Sequence, residues 1–226
     1  MFILEKIISA IAPHNCLGCG REGSLLCVWC SPDAAIPLPS RCYICRAITT
    51  DFAVCSKCRP KSGLKKVWVR TEYDGLAKKL VHSYKFQRAQ SAAADIGRLM
   101  ADVLPVLDTE TLLVPVPSAT SRLKNRGYDH TLLLCKELSR QSKLHYQSVL
   151  GRTGQSRQVG ASRQQRQQQL ASAFFIKNED TIRSVNIVLV DDIVTSGGTL
   201  EACAKLLKSA GAKSVSAVIF AQKTSM

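Results

Sequence analysis

A chain of 226 residues suits one ordinary domain plus a small one. From about residue 70 onward it can bury a core, but the first 60 or so residues are excluded from folding as a free-standing unit without a staple. The formal net charge of +14 favours anionic partners: nucleic acid, phosphorylated metabolites or a membrane surface.

The first 15 residues form a helix candidate, stopped before Pro13. Phe2, Leu4, Ile7, Ile8 and Ile11 make one amphipathic stripe, expected to pack on the protein. The stretch is too short and too interrupted for a signal-peptide core or a membrane span. The expected compartment is the cytoplasm, with reduced cysteines.

Ten cysteines are many for this length, and eight of them form C-x-x-C pairs within 43 residues. These are Cys16 and Cys19, Cys27 and Cys30, Cys42 and Cys45, and Cys55 and Cys58. Zn2+ binds four thiolates tetrahedrally, and each C-x-x-C supplies two from one turn. Eight ligands point to two structural zinc ions with no open coordination position. The simplest arrangement joins the first pair with the second and the third with the fourth; an interleaved arrangement stays open. Disulfides, a redox dithiol or an iron–sulfur cluster are the alternatives. Gly20 fits the tight knuckle turn, and Arg46 fits it less well. Arg21, Arg41, Arg46, Lys57 and Arg59 would offset the charge of about −2 on a zinc tetrathiolate. Trp29, Tyr43 and Trp68 are expected to pack around the module, with stacking on bases as the alternative. The chain divides at 1–62, helix and cysteine module, and 63–226, the larger domain.

Residues 61–70 read as a linker entering a strand. Leu76, Leu80, Val81 and Tyr84 then repeat at helical spacing, and residues 91–107 give a second helix. Thr111 to Val116 is a buried strand, and residues 129–142 are helical. Residues 151–170, rich in Gly, Arg and Gln, read as a mobile lid in which Arg157, Arg163 or Arg166 closes over a site. Phe174 to Ile176 is a short strand. Val185 to Val190 is an apolar run typical of a central parallel strand. Thr199 to Ala210 is a helix ended by Gly211, and Ser214 to Phe220 is a last buried strand. Cys135 and Cys203 fall in helical patterns and read as small buried hydrophobes. Strands alternating with helices imply an α/β domain around a parallel sheet.

The segment after the central strand carries the chemistry: Asp191, Asp192, Ile193, Val194, Thr195, Ser196, Gly197, Gly198 and Thr199. Two carboxylates stand at the carboxyl end of a buried strand, where open α/β sheets bind ligands. Gly197 and Gly198 let a backbone approach closely, and Thr195, Ser196 and Thr199 add hydroxyl donors. The helix N-terminus that follows favours an anion such as a phosphate monoester. The carboxylates would repel the phosphate itself and suit ribose hydroxyls beside it. The loop lacks the G-K-[ST] ending of a Walker A loop and the G-x-G-x-x-G of a dinucleotide fold. An acidic turn with a Ser/Thr cap is the alternative.

This segment resembles the 5-phosphoribosyl-1-pyrophosphate (PRPP) signature of type I phosphoribosyltransferases. The rest of the chain resembles the ComF family (ComFC- and GntX-like proteins), which joins such a domain to an N-terminal double zinc ribbon. Tyr84-Lys85-Phe86, the Val114-Pro115-Val116-Pro117 block with Arg122 to Tyr128, and the Gln158 to Arg166 block carry that likeness. It departs at Tyr128-Asp129-His130, where the family often has Phe-Asn-Gln, and at Gln169, often Asn. The resemblance implies a type I phosphoribosyltransferase-like parallel sheet flanked by helices, with a small zinc-ribbon module. It implies that Asp191 and Asp192 hold the ribose hydroxyls and that Thr195 to Thr199 cradle the 5′-phosphate.

Arg122, Lys124, Arg126 and Gly127 follow the strand that ends at Pro117. Arginine donors there would hold the leaving pyrophosphate of PRPP, which brings Mg2+ with it. Arg126 joins Asp191 and Asp192 as a catalytic candidate, and Gly127 permits the unusual backbone that turns N–H groups to the ligand. A general base is not evident; Asp129 and His130 are candidates by location. A solvated basic loop is the alternative. From residue 120 to 170 there are ten Lys/Arg against two Asp/Glu, with few aromatics for base stacking.

Two functions compete. The resemblance implies DNA uptake in natural transformation, with PRPP or a ribose phosphate and single-stranded DNA as partners and competence proteins such as a helicase beside them. The other reading is a Mg2+-dependent phosphoribosyltransferase acting on a nucleobase or amine acceptor.

Overall fold

The computed structural model of the chain describes residues 14–86, 91–118, 127–153 and 172–223. The helix expected over residues 1–15 falls almost wholly outside them.

A four-stranded parallel sheet runs in the order β1-β6-β5-β2, from β1 (Val67–Glu72), β2 (Leu112–Pro115), β5 (Asn186–Val194) and β6 (Ser214–Gln222). Two short strands, β3 (Leu150–Arg152) and β4 (Phe174–Ile176), pair antiparallel beside it. The helices are α1 (Ser31–Ala34), α2 (Gly75–Phe86), α3 (Ala92–Ala101), α4 (His130–Ser142) and α5 (Gly198–Ser209).

Both faces of the sheet are covered, so its strands read as apolar runs with no polar face. Side chains alternate with period two. Trp68, Leu113, Val188, Val190, Val218 and Phe220 face a core built with α2, α3 and α4. Val67, Val69, Leu112, Val114, Ile187, Leu189 and Ile219 face the other core, with α5 and the β3–β4 pair.

The cysteine-rich segment straddles this sheet. Leu25, Leu26, Ala34 and Ala35, beside the first two pairs, join the α2–α4 core. Cys42, Tyr43 and Val54, beside the last two, join the α5 core. Backbone bonds tie it to the β1 edge: Val54 N–H donates to Lys65 C=O at 3.0 Å, and Val67 N–H to Phe52 C=O at 3.0 Å. A segment too small to build a core of its own therefore completes both cores of its neighbour.

Three elements differ from expectation for local reasons. The second helix ends at Ala101, well before residue 107, because Pro105 disfavours helical geometry at Leu104. The central strand continues to Val194, since β6 pairs with it as far as Val194↔Gln222. Gly151 and Arg152, expected in a mobile stretch, form β3 against β4; residues 154–170 lie outside the described region.

Candidate functional site

The strand connections diverge between β2 and β5. From β5 the chain passes through α5 to β6 on one side. From β2 it passes through α4 to Tyr146, which bridges Leu113 on the other. The crevice at such a switch point is where open α/β sheets take ligands. Its floor has a chemical cause. The β2–β5 ladder closes with Val116 N–H donating to Val190 C=O at 3.0 Å, and Pro117 has no N–H to continue it. Asp191 and Asp192 lie just beyond that last bond.

Asp192 is 2% exposed, and Asp191 is half-buried. Lys85, at the end of α2, sets its Nζ 2.6 Å from Asp192 Oδ2, and His130 Nε2 lies 3.5 Å from the same atom. Burial alone would push the Asp192 carboxyl up, but Lys85 and His130 outweigh it and hold it low. Asp191 moves the other way: burial, then the neighbouring Asp192 charge, pushes it up to about 8. Of the two, Asp191 is the more readily protonated and Asp192 the more readily ionised. A ligand's hydroxyls would meet both an acceptor and a donor there.

The surroundings are bonded into a chain. His130 Nδ1 lies 3.1 Å from Ser118 Oγ. Tyr84 Oη donates to His130 C=O at 2.5 Å, and Tyr128 Oη donates to Tyr84 C=O. Asp129 serves as the cap of α4, its carboxylate accepting from Thr131 and Leu132 N–H. That occupation leaves His130 as the group of the two that faces the acidic pair.

Past Val194 the loop turns out to solvent. Thr195 and Ser196 are exposed, while Ile193, Gly198 and Thr199 are partly buried. Gly197 is buried, has φ +74 and caps α5. A Cβ there would stand 2.5 Å from the Tyr43 ring, so both backbone and space demand glycine. Gly127 also adopts a left-handed conformation, φ +79. Arg122, Lys124 and Arg126 lie outside the described residues, as do Arg157, Arg163, Arg166 and Gln169. Sequence reading passed over Lys85, Tyr43 and Glu201 as site residues. The signal for Lys85 was its place in Tyr84-Lys85-Phe86, a segment that carries the family likeness without showing which partner the lysine meets.

The eight cysteines gather as Cys16, Cys19, Cys27 and Cys30, and as Cys42, Cys45, Cys55 and Cys58, the sequential arrangement. In each group the sulfurs lie within 4.8 Å of one another. A Zn–S distance of about 2.3 Å gives a tetrahedral S···S edge of about 3.8 Å. Cys19 and Cys27 sulfurs are 3.7 Å apart, and Cys45 and Cys55 sulfurs 3.5 Å. The donors therefore fit a tetrahedral metal ion. Burial pushes the Cys16 thiol up, but N–H groups of Cys27, Cys19 and Gly18 outweigh it and bring it down to about 6. Contact with the Cys27 sulfur, then burial, pushes Cys30 up to about 12. Four crowded sulfurs resist a full set of charges unless a cation sits among them. The knuckle turns place Gly20 at φ +73 and Arg46 at φ +65. Tyr43 and Trp68 are buried, whereas Trp29 is 73% exposed. Cys135 and Cys203 are fully buried. Among the described residues no helix is long and apolar enough to cross a membrane.

The chain is similar in sequence to known proteins. A sequence model of the phosphoribosyl transferase domain matches residues 133–225. A DNA utilization protein YhgH of Escherichia coli O157:H7 is 30% identical over 215 residues, covering 84% of this chain and 93% of that protein. Competence protein F of Haemophilus influenzae is 26% identical, over 84% of this chain and 93% of its own length. Competence protein ComFC of Bacillus subtilis is 27% identical, over 89% and 92%.

Proposed function

The chain belongs to the ComF family, and from that premise we propose that it binds PRPP or a related ribose phosphate at the β5–α5 loop while handling single-stranded DNA brought into the cell. The observation that carries the reading is the acidic pair and the Gly197 turn at the switch-point crevice, in a chain whose full-length relatives are named for competence and DNA utilization. Asp192, held ionised by Lys85, would accept from one ribose hydroxyl. Asp191, with its raised pKa, would sit beside the second. The hydroxyls of Thr195, Ser196 and Thr199 and the amino end of α5 would take the 5′-phosphate. Arg122, Lys124, Arg126 and Gly127 would meet the pyrophosphate, with Mg2+ bound chiefly to phosphate oxygens. Zn2+ in the two cysteine tetrads would be structural, because four thiolates per ion leave no open position.

DNA handling follows from charge. A chain of net charge +14 that grips a strand through phosphates releases counterions on binding. The zinc module and the basic stretch 120–170 are the proposed contact. Fluorescence anisotropy with a labelled single strand of mixed sequence tests this, repeated across a salt series. Affinity should fall linearly on a log–log plot, with a slope near −0.7 for each phosphate neutralised. A dissociation constant indifferent to salt would remove the DNA part of the proposal and leave the ribose-phosphate site standing.

A further inference from the structure

The third and fourth cysteine pairs reach the candidate phosphate loop through one side chain. Tyr43 stands between Cys42 and Cys45, and its ring roofs Gly197, whose φ of +74 sets the turn into α5. Its hydroxyl donates to Glu201 Oε1 in the first turn of α5. Ser62 Oγ donates to the same carboxylate, and Gly63 N–H reaches Oε2 at 2.9 Å. Gln222 Nε2 donates to Tyr43 C=O at 3.3 Å, and Gln222 pairs with Val194 at the start of the loop. The loop is therefore held from both ends by the second tetrad and the residues just after it.

The tether has an electrostatic side. A carboxylate at a helix N-terminus is attracted to the same free N–H groups that would receive a phosphate. Three donors hold the Glu201 carboxylate toward the module. Released, it would compete with an incoming anion. Among the described residues the first tetrad shows no such route: those around it pack on α2 and α3 across the sheet, and Arg98 of α3 donates to Ser31 Oγ at 2.9 Å.

We propose that Tyr43 is a positioning residue for the phosphate loop, through which metal at the Cys42–Cys58 tetrad, but not at the Cys16–Cys30 tetrad, sets ribose-phosphate affinity. This rests on the ribose-phosphate site proposed above. The test uses the full, zinc-loaded chain, calorimetric titration with ribose 5-phosphate, and zinc content by atomic absorption. Tyr43→Phe keeps the ring and should keep two zinc ions, yet weaken binding roughly tenfold or more, as for one hydrogen bond to a charged group. In a Glu201→Gln background the same change should cost less than about twofold, because no released charge then opposes the phosphate. Cys45→Ser should lose one zinc and weaken binding more than about tenfold. Cys19→Ser should lose one zinc and stay within about twofold of wild type.

A wild type that binds and a Tyr43→Phe variant that binds equally well would overturn the inference alone. Equal losses in Cys19→Ser and Cys45→Ser would overturn it too, by showing a general loss of structure. A wild type that fails to bind ribose 5-phosphate would overturn both this inference and the site beneath it.

Discussion

Replacing Lys85 with methionine isolates the feature that most distinguishes the candidate site from an ordinary strand end. Lys85 and Asp192 meet at 2.6 Å, with side-chain exposures of 15% and 3%. Surface ion pairs are worth about 0–1 kcal/mol, but removing one partner of a buried pair costs roughly 3–5 kcal/mol, because a charge is left stranded. His130 at 3.5 Å offers Asp192 partial relief, so the expected cost of Lys85→Met is near 3 kcal/mol at pH 7. Asp192→Asn in the same chain removes the stranded charge and should recover most of that loss, a coupling of about 2 kcal/mol. Without Lys85 the Asp192 pKa rises above its unfolded value. The Asp192 contribution to the single variant's stability is then largest at low pH and falls as pH rises through the raised pKa. Urea unfolding followed by tryptophan fluorescence, at pH 5 and pH 7.5, measures all three quantities, with Trp68 as the buried reporter. A Lys85→Met cost below about 1 kcal/mol, or strict additivity with Asp192→Asn, would show that no buried ion pair organises the site.

Three smaller expectations follow from single residues. Asp191 has its pKa raised to about 8, so the folded state gives up stability as pH rises from about 4 toward that value; Asp191→Asn should raise Tm at pH 8, by about 2–4 °C for each kcal/mol recovered, and much less at pH 5. Arg46 adopts φ +65 in its knuckle, and Arg46→Gly should stabilise the zinc-loaded protein by roughly 1 kcal/mol in thermal or urea melts. Gly63 packs so closely on α5 that a Cβ would stand 2.9 Å from the Lys205 nitrogen, so Gly63→Ala should cost about 1–3 kcal/mol by urea melts and pull the module away from the helix.

The parallel sheet was legible because both of its faces are buried. That turns β5 and β6 into apolar runs bounded by turn residues, and the run from Val185 to Val190 was read as a central strand for this reason. The cysteine tetrads were legible because ligand spacing is local, although only the fold decides which pairs meet. Strand ends were less legible. Asp191 and Asp192 read as the carboxyl end of a strand stopping near Val190, yet β6 pairs with β5 as far as Val194, and only the neighbour's length could have said so. Lys85 and Tyr43 were hidden for a related reason: each acts through a contact distant in sequence. Lys85 lies more than 100 residues before Asp192, and Tyr43 is 158 residues before Glu201. An exposed lysine near a helix end and a tyrosine inside a zinc knuckle look the same in sequence whether or not such a partner awaits them.

The central claim is that the crevice at the end of β5 binds a ribose phosphate through its two carboxylates and the loop after them. Calorimetric titration of PRPP with Mg2+ into the zinc-loaded protein, beside Asp191→Asn/Asp192→Asn, tests it most directly. Loss of one hydrogen bond to the Asp192 carboxylate and an ordinary one to Asp191 should weaken binding by roughly 2–4.5 kcal/mol if they add, enough to take the titration signal down sharply while the fold is kept. Binding by the wild type and sharply weaker binding by the variant is the predicted result; equal binding by both, or by neither, would contradict it.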